Sequence, residues 1–139
     1  MSVSAGYSRT PLAKKLGIKQ GNIVLVMNSP KPYLEFFHEF PSEVVLLTKQ
    51  NTYTTVDFIH IFVTSQKQLE QLFAKAKPML KKNGMLWISW PKKTASIKSA
   101  LNKFDVMRYG LANGLVDVKV AAIDTDWSGH KFVYRKEDR

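Results

Sequence analysis

Asn22-Ile23-Val24-Leu25-Val26-Met27-Asn28 places five consecutive apolar residues between two asparagines. A strand with one wet face alternates apolar and polar residues. An unbroken apolar run of strand length therefore belongs to a strand covered on both faces, as in a parallel sheet between two helical layers. This reading makes it the central strand. Upstream, Thr10-Pro11-Leu12-Ala13-Lys14-Lys15-Leu16-Gly17 reads as a short helix, with Thr10 as N-cap, Pro11 at the first helical position and Gly17 as the stop.

Downstream the pattern alternates. Residues 32–40 predict a short helix, 44–47 a second strand and 56–63 a third. Ser65-Gln66-Lys67-Gln68 is a capping box that opens an amphipathic helix. Leu69, Leu72, Phe73, Ala76, Met79 and Leu80 form its apolar stripe, Pro78 should kink it, and Asn83-Gly84 should break it. A fourth strand is expected from Met85 to Trp90, followed by a helical region from Ala95 to Ala112 interrupted or ended by Gly110 and Gly114. Residues 116–123 and 131–135 flank the polar turn Asp124-Thr125-Asp126-Trp127-Ser128-Gly129, which predicts a closing antiparallel hairpin. The fold class is thus α/β: a three-layer, doubly wound, mostly parallel sheet of about six strands.

A chain of 139 residues is expected to form one domain over 1–139. Such a domain buries roughly 68% of the surface its unfolded chain exposes, so it needs no disulfide or metal staple. Hydrophobic residues make up 45% and aromatics 12%, enough apolar material to offset ordering entropy. The absence of cysteine excludes thiol nucleophiles, disulfide scaffolds and Cys-type zinc sites. The opening Met1-Ser2-Val3-Ser4-Ala5-Gly6-Tyr7-Ser8-Arg9 lacks the basic and apolar regions of a secretion signal. The apolar runs are strand length, far short of the ~18 to 20 residues of a membrane span. A cytoplasmic location is the expectation.

The formal charge is +10, from 21 Lys and Arg against 11 Asp and Glu. The excess is local: residues 67–103 hold nine lysines and one acid, Glu70. Lys67, Lys75, Lys81 and Lys82 fall opposite the apolar stripe of the predicted helix, which reads first as a solvated back and second as a surface for nucleic acid. The excess is lysine rather than arginine, and no aromatic is interleaved to stack a base, so a nucleic-acid partner is not the favoured reading.

The order of elements resembles a shortened class I methyltransferase. Three segments are similar to a family of small bacterial proteins catalogued only as a domain of unknown function: Ala5-Gly6-Tyr7-Ser8 with Thr10 to Gly17, Trp87-Ile88-Ser89-Trp90-Pro91-Lys92-Lys93, and Gly114-Leu115-Val116-Asp117-Val118-Lys119-Val120 with Ala122-Ile123-Asp124. The tail Trp127-Ser128-Gly129-His130-Lys131-Phe132-Val133 fits as well. That resemblance implies a fold and no established activity. Methyltransferases resemble one another in a glycine-rich turn after the first strand and an acid ending the second, which hold S-adenosylmethionine. Here the first strand runs into Asn28-Ser29-Pro30-Lys31-Pro32 and the second ends Leu46-Leu47-Thr48-Lys49, with neither feature. No cofactor is therefore expected, and a divergent S-adenosylmethionine-dependent transferase is the alternative.

His38, His60 and His130 show no metal-ligand spacing, so no metal is expected. Ser89-Trp90-Pro91-Lys92 matches SxxK in letters only, because Ser89 falls in a strand rather than at a helix start. Asp124 and Asp126 read as caps of a turn before they read as a carboxylate pair. Ligands of open α/β sheets bind beyond the carboxyl ends of the strands, near the point where strand order reverses. The residues leaving those ends are Asn28, Ser29, Thr64, Ser65, Trp90, Lys92 and Lys93, a donor-rich set suited to a small anion. Trp87 should be core; Trp90 should line a crevice that Trp127 and Tyr7 cover. The sequence thus favours a non-catalytic binding module over an enzyme.

Overall fold

The apolar run is strand β1, Ile23–Met27, and its last four residues are buried. In the computed structural model, which describes residues 10–49 and 55–139, β1 is followed by β2 (Val45–Leu47) and β3 (Val56–Phe62). Helix α1 (Leu12–Leu16) precedes β1, and α2 (Gln66–Ala76) leads into β4 (Leu80–Pro91). The chain continues through α3 (Lys103–Ala112), β5 (Leu115–Ala122) and β6 (Trp127–Tyr134). The sheet order is β2-β1-β3-β4-β6-β5, with parallel pairing from β2 to β4 and antiparallel pairing of β6 with both β4 and β5. The expected α/β class and closing hairpin are both present.

β1 is not central, however: β2 lies outside it, and β3 and β4 hold the middle. Its continuous burial comes from cover on both faces. Leu25 and Met27 pack with Leu69 and Phe73 of α2, in a core that also takes Val106 of α3 and Phe132 of β6. Val24 and Val26 belong to the opposite core, with Ala13 and Leu16 of α1, Tyr33, Phe58, Trp87 and Trp127. Trp87 is fully buried and its Nε1 donates to the Leu16 carbonyl at 2.8 Å, tying α1 to the sheet.

Several boundaries follow local chemistry that the pattern alone does not reveal. α1 is capped by Pro11 rather than Thr10, and Gly17 closes it at φ 95°. Residues 32–40 form only a 3-10 turn, Tyr33–Phe36. At α2, Ser65 Oγ accepts from the Gln68 amide at 3.1 Å, but the Gln68 side chain reaches past Ser65 to the Thr64 amide at 2.7 Å. α2 stops at Ala76, because Pro78 has no amide to continue it, and a 3-10 turn over Lys77–Met79 delivers the chain into β4 at Leu80. Asn83-Gly84 therefore breaks no helix; it lies in a bulge of β4, where Val56 opposes Leu80 and Phe58 opposes Met85. A Cβ on Gly84 would stand 2.8 Å from the Asp57 carbonyl oxygen. α3 begins eight residues later than the earliest expected start, at Lys103, where Asn102 and Asp105 form a reciprocal capping box.

Candidate functional site

The residues expected to bind a ligand separate into two groups. The first lies where strand order reverses, between the carboxyl ends of β1 and β3. Asn28 adopts a left-handed φ of 63°, and its Nδ2 donates to the Phe62 carbonyl at 2.8 Å, bridging the two strand ends. Ser29 Oγ donates to the Lys31 carbonyl at 2.6 Å. Thr64 is held at its amide by Gln68, and its carbonyl accepts from Ser99 Oγ at 2.7 Å. Ser65 is the α2 cap. The side chains of Asn28, Ser29 and Ser65 and the backbone of Thr64 are thus engaged by the chain itself.

The second group opens a cavity of about 270 Å³ at the end of β4. Trp90, Pro91, Leu101 and Val120 give it an apolar floor, and Lys92, Lys93 and Lys103 also line it. Asn102 and Ser128 complete the lining, and no carboxylate belongs to it. Trp90 and Ser128 are cross-strand partners on β4 and β6, so the floor is rigid sheet. The Lys92 amide donates to the Asp126 carbonyl at 2.8 Å and the Lys92 carbonyl accepts from the Ala95 amide at 3.0 Å, which fixes the loop leaving β4. None of the three lysines is in an ion pair among the described residues. Leu101, Asn102, Lys103, Val120 and Ser128 escaped the sequence reading. The Asn102-to-Asp105 cap was the signal that could have placed Asn102 and Lys103 there.

The other chemistry-bearing residues have structural partners. His60 is fully buried with Nδ1 2.7 Å from the Tyr33 hydroxyl and Nε2 2.6 Å from Ser89 Oγ, and its ring stacks on Phe62 at 4.3 Å. Burial pushes its pKa down to about 3, so it is a neutral imidazole holding two hydroxyls. His130, also buried, has Nε2 3.4 Å from Asp117, and burial lowers its pKa against the opposing pull of that carboxylate. Asp124 Oδ1 accepts the amides of Asp126 and Trp127 at 2.8 and 2.9 Å, the turn-capping role expected of it. Trp127 does not cover the cavity; it is buried against Phe62, ring centroids 5.2 Å apart, on the α1 side. Tyr7 lies outside the described residues.

The anticipated lysine face is not one helix surface. Lys67 and Lys75 lie on α2, but Lys81 and Lys82 are in β4. Lys81 pairs with Asp57 at 2.9 Å, and Lys82 sits 4.3 Å over the Tyr134 ring. Among the described residues no group of three or more His, Asp and Glu side chains is placed to hold a metal, and no helix is long and apolar enough to cross a membrane.

No family model matches the chain, and no curated protein matches it. Solved structures do resemble its fold. A SAM-dependent methyltransferase from Aquifex aeolicus aligns over 87% of this chain and 86% of its own, at a TM-score of 0.58 and 17% identity. A protein assigned as a type 11 methyltransferase from Sulfolobus solfataricus aligns over 97% of this chain and 95% of its own, at a TM-score of 0.64 and 14% identity. A TehB-like SAM-dependent methyltransferase from Corynebacterium glutamicum covers 89% of this chain and 85% of its own, at a TM-score of 0.54 and 13% identity. The chain has a methyltransferase-like, Rossmann-like fold.

Proposed function

We propose that the chain is a non-catalytic binding module on a methyltransferase-like fold, and that its ligand is a small anion with an apolar or aromatic body held in the cavity at the end of β4. The observation that carries this reading is the convergence of Lys92, Lys93 and Lys103, none of them ion-paired among the described residues, around a floor of Trp90, Pro91, Leu101 and Val120. Three lysines with no carboxylate among the lining residues favour an anion there. Trp90, buried in the core and touching the cavity, gives the apolar side of the site. Lysine supplies charge without fixed bond directions, which suits a carboxylate or phosphate of variable pose.

The likeness of fold supports a second reading, a SAM-dependent transferase, more than it supports the first. Residues oppose it. The end of β2 offers Leu47, Thr48 and Lys49 in place of a carboxylate for a ribose. Between the ends of β1 and β3, the Asn28 side chain spans to Phe62, and the following segment is a 3-10 turn of four residues rather than a helix with free amides. The residues present therefore do not fit S-adenosylmethionine in the conventional position.

One titration separates the readings. Trp90 is the only one of the three tryptophans that lines the cavity. Phenyl phosphate and benzoate should change its emission, the change should vanish in Trp90→Phe, and Lys103→Glu should weaken binding at least tenfold. S-adenosylmethionine at millimolar concentration should leave emission and melting temperature unchanged. Absence of any response to the aromatic anions overturns the first reading; a melting shift with S-adenosylmethionine that survives Lys103→Glu establishes the second.

A further inference from the structure

On the α1 side of the sheet, lysines of separate elements lie with no acid paired to them. Lys119 of β5 and Lys131 of β6 are direct cross-strand partners, and Lys131 in turn opposes Trp87, whose indole belongs to the α1-side core. Directly opposed side chains lie about 5 Å apart at Cβ, and like charges there destabilise a sheet. Lys15 of α1 is half-buried, and its Nζ donates to the Ala122 carbonyl at 3.0 Å, so it is held against the hairpin rather than turned into solvent. Lys19 follows α1 closely in sequence. All eleven acids of the chain fall within the described residues, and none forms an ion pair with these four lysines. Asp117, the nearest acid along β5, is engaged with His130.

The ammonium groups feel one another. Burial lowers the pKa of Lys15, helped by the charges of Lys119 and Lys92; burial lowers that of Lys131, helped by Lys119 and Lys19. A fold that needed these positions only for solubility would be served as well by alternating signs. Lys119 and Lys131, opposed with no counter-charge, would instead be neutralised by an incoming polyanion.

We propose that Lys15, Lys19, Lys119 and Lys131 form a docking site for a compact polyphosphate group on the α1 side of the sheet. A chain of two or three phosphates carries several negative charges on one flexible body, which can reach lysines on adjacent strands about 4.8 Å apart. Lysine, without the planar fork of arginine, binds such a group as summed point charges and reads no base or sugar. The phosphates can belong to a free polyphosphate or to a nucleotide tail, and both present the same chemistry to the site.

The test is calorimetric titration of the protein with tripolyphosphate, with a nucleoside triphosphate and with inorganic phosphate at low ionic strength. Tripolyphosphate should bind at least tenfold more tightly than phosphate, and affinity should fall as salt is raised. A nucleoside triphosphate equal to tripolyphosphate means the phosphates alone are read; one tenfold tighter assigns the nucleotide as the source. Lys119→Glu is the informative variant, because Lys119 is exposed and its replacement places opposite charges across β5 and β6. It should raise the melting temperature of the free protein while weakening tripolyphosphate at least tenfold. Lys67→Glu on α2 and Lys103→Glu at the cavity should leave that affinity within twofold. Undetectable binding of tripolyphosphate at 1 mM or below, or binding that Lys119→Glu leaves unchanged, overturns the proposal; neither result bears on the aromatic anions of the cavity.

Discussion

His60 Nε2 lies 2.6 Å from Ser89 Oγ, across the central strands β3 and β4, with neither side chain reached by solvent. On the other side of the ring, Nδ1 meets the Tyr33 hydroxyl at 2.7 Å. A neutral imidazole has one donor and one acceptor, so it satisfies both hydroxyls in either tautomer. Charging it would bury a cation in the core with no counter-charge. Geometry that reads in outline as a nucleophile and its base is here a polar clasp, with both side chains fully buried.

That clasp has a pH signature. With a folded pKa of about 3 and an unfolded value near 6.5, the unfolded chain takes up a proton that the folded chain refuses. The contribution is complete above about pH 6.5 and is lost by about 1.4 kcal/mol per pH unit as pH falls towards the folded value. His60→Leu strands two buried hydroxyls and should cost about 2–4 kcal/mol at pH 7. It also removes the titration, so the stability gap between wild type and variant should close between about pH 5 and about pH 3.5 in urea denaturation. A gap that stays constant with pH would refute the assignment of a neutral, buried imidazole.

Gly110 marks the closest approach of α3 to the sheet: a Cβ there would overlap the Phe132 ring. In an exposed helix interior, Gly→Ala gains about 1 kcal/mol. At this buried position overpacking should dominate, with Gly110→Ala costing about 1–3 kcal/mol net. Shrinking the ring reverses the sign, so in a Phe132→Leu background the same change should be neutral or stabilising. Chemical denaturation of the four proteins of the cycle measures this coupling; additive effects would mean that α3 does not pack on Phe132.

The reach of the sequence is set by how local each cause is. The run at 23–27 and the glycine stop at Gly17 act within a few residues, and both were legible. The start of β4 was not, because Met79 and Leu80 continue the helical stripe of Leu69, Phe73 and Ala76 while Pro78 ends the helix. Trp90, Lys92 and Lys93 were legible as strand-end residues. Lys103, Val120 and Ser128 reach the same cavity from three further elements, which only the order β4-β6-β5 brings together. Lys119 and Lys131 meet for the same reason, across a hairpin whose register depends on a bulge between Asp117 and Lys119.

Asn28 gives the last prediction. Its left-handed φ of 63° is a conformation in which glycine is unstrained and alanine is not, and its Nδ2 contributes the bond to the Phe62 carbonyl at 2.8 Å. Asn28→Gly loses that bond, which contributes about 1 kcal/mol, and gains chain entropy when unfolded. Asn28→Ala loses the bond and adds about 1 kcal/mol of backbone strain. Thermal denaturation should therefore rank wild type above Asn28→Gly, and Asn28→Gly above Asn28→Ala. Asn28→Gly also introduces a glycine after β1 and removes the side chain that spans to β3. If that side chain were the sole obstacle to S-adenosylmethionine, the variant would acquire a melting shift with it. With no carboxylate at the end of β2, the expected shift is none.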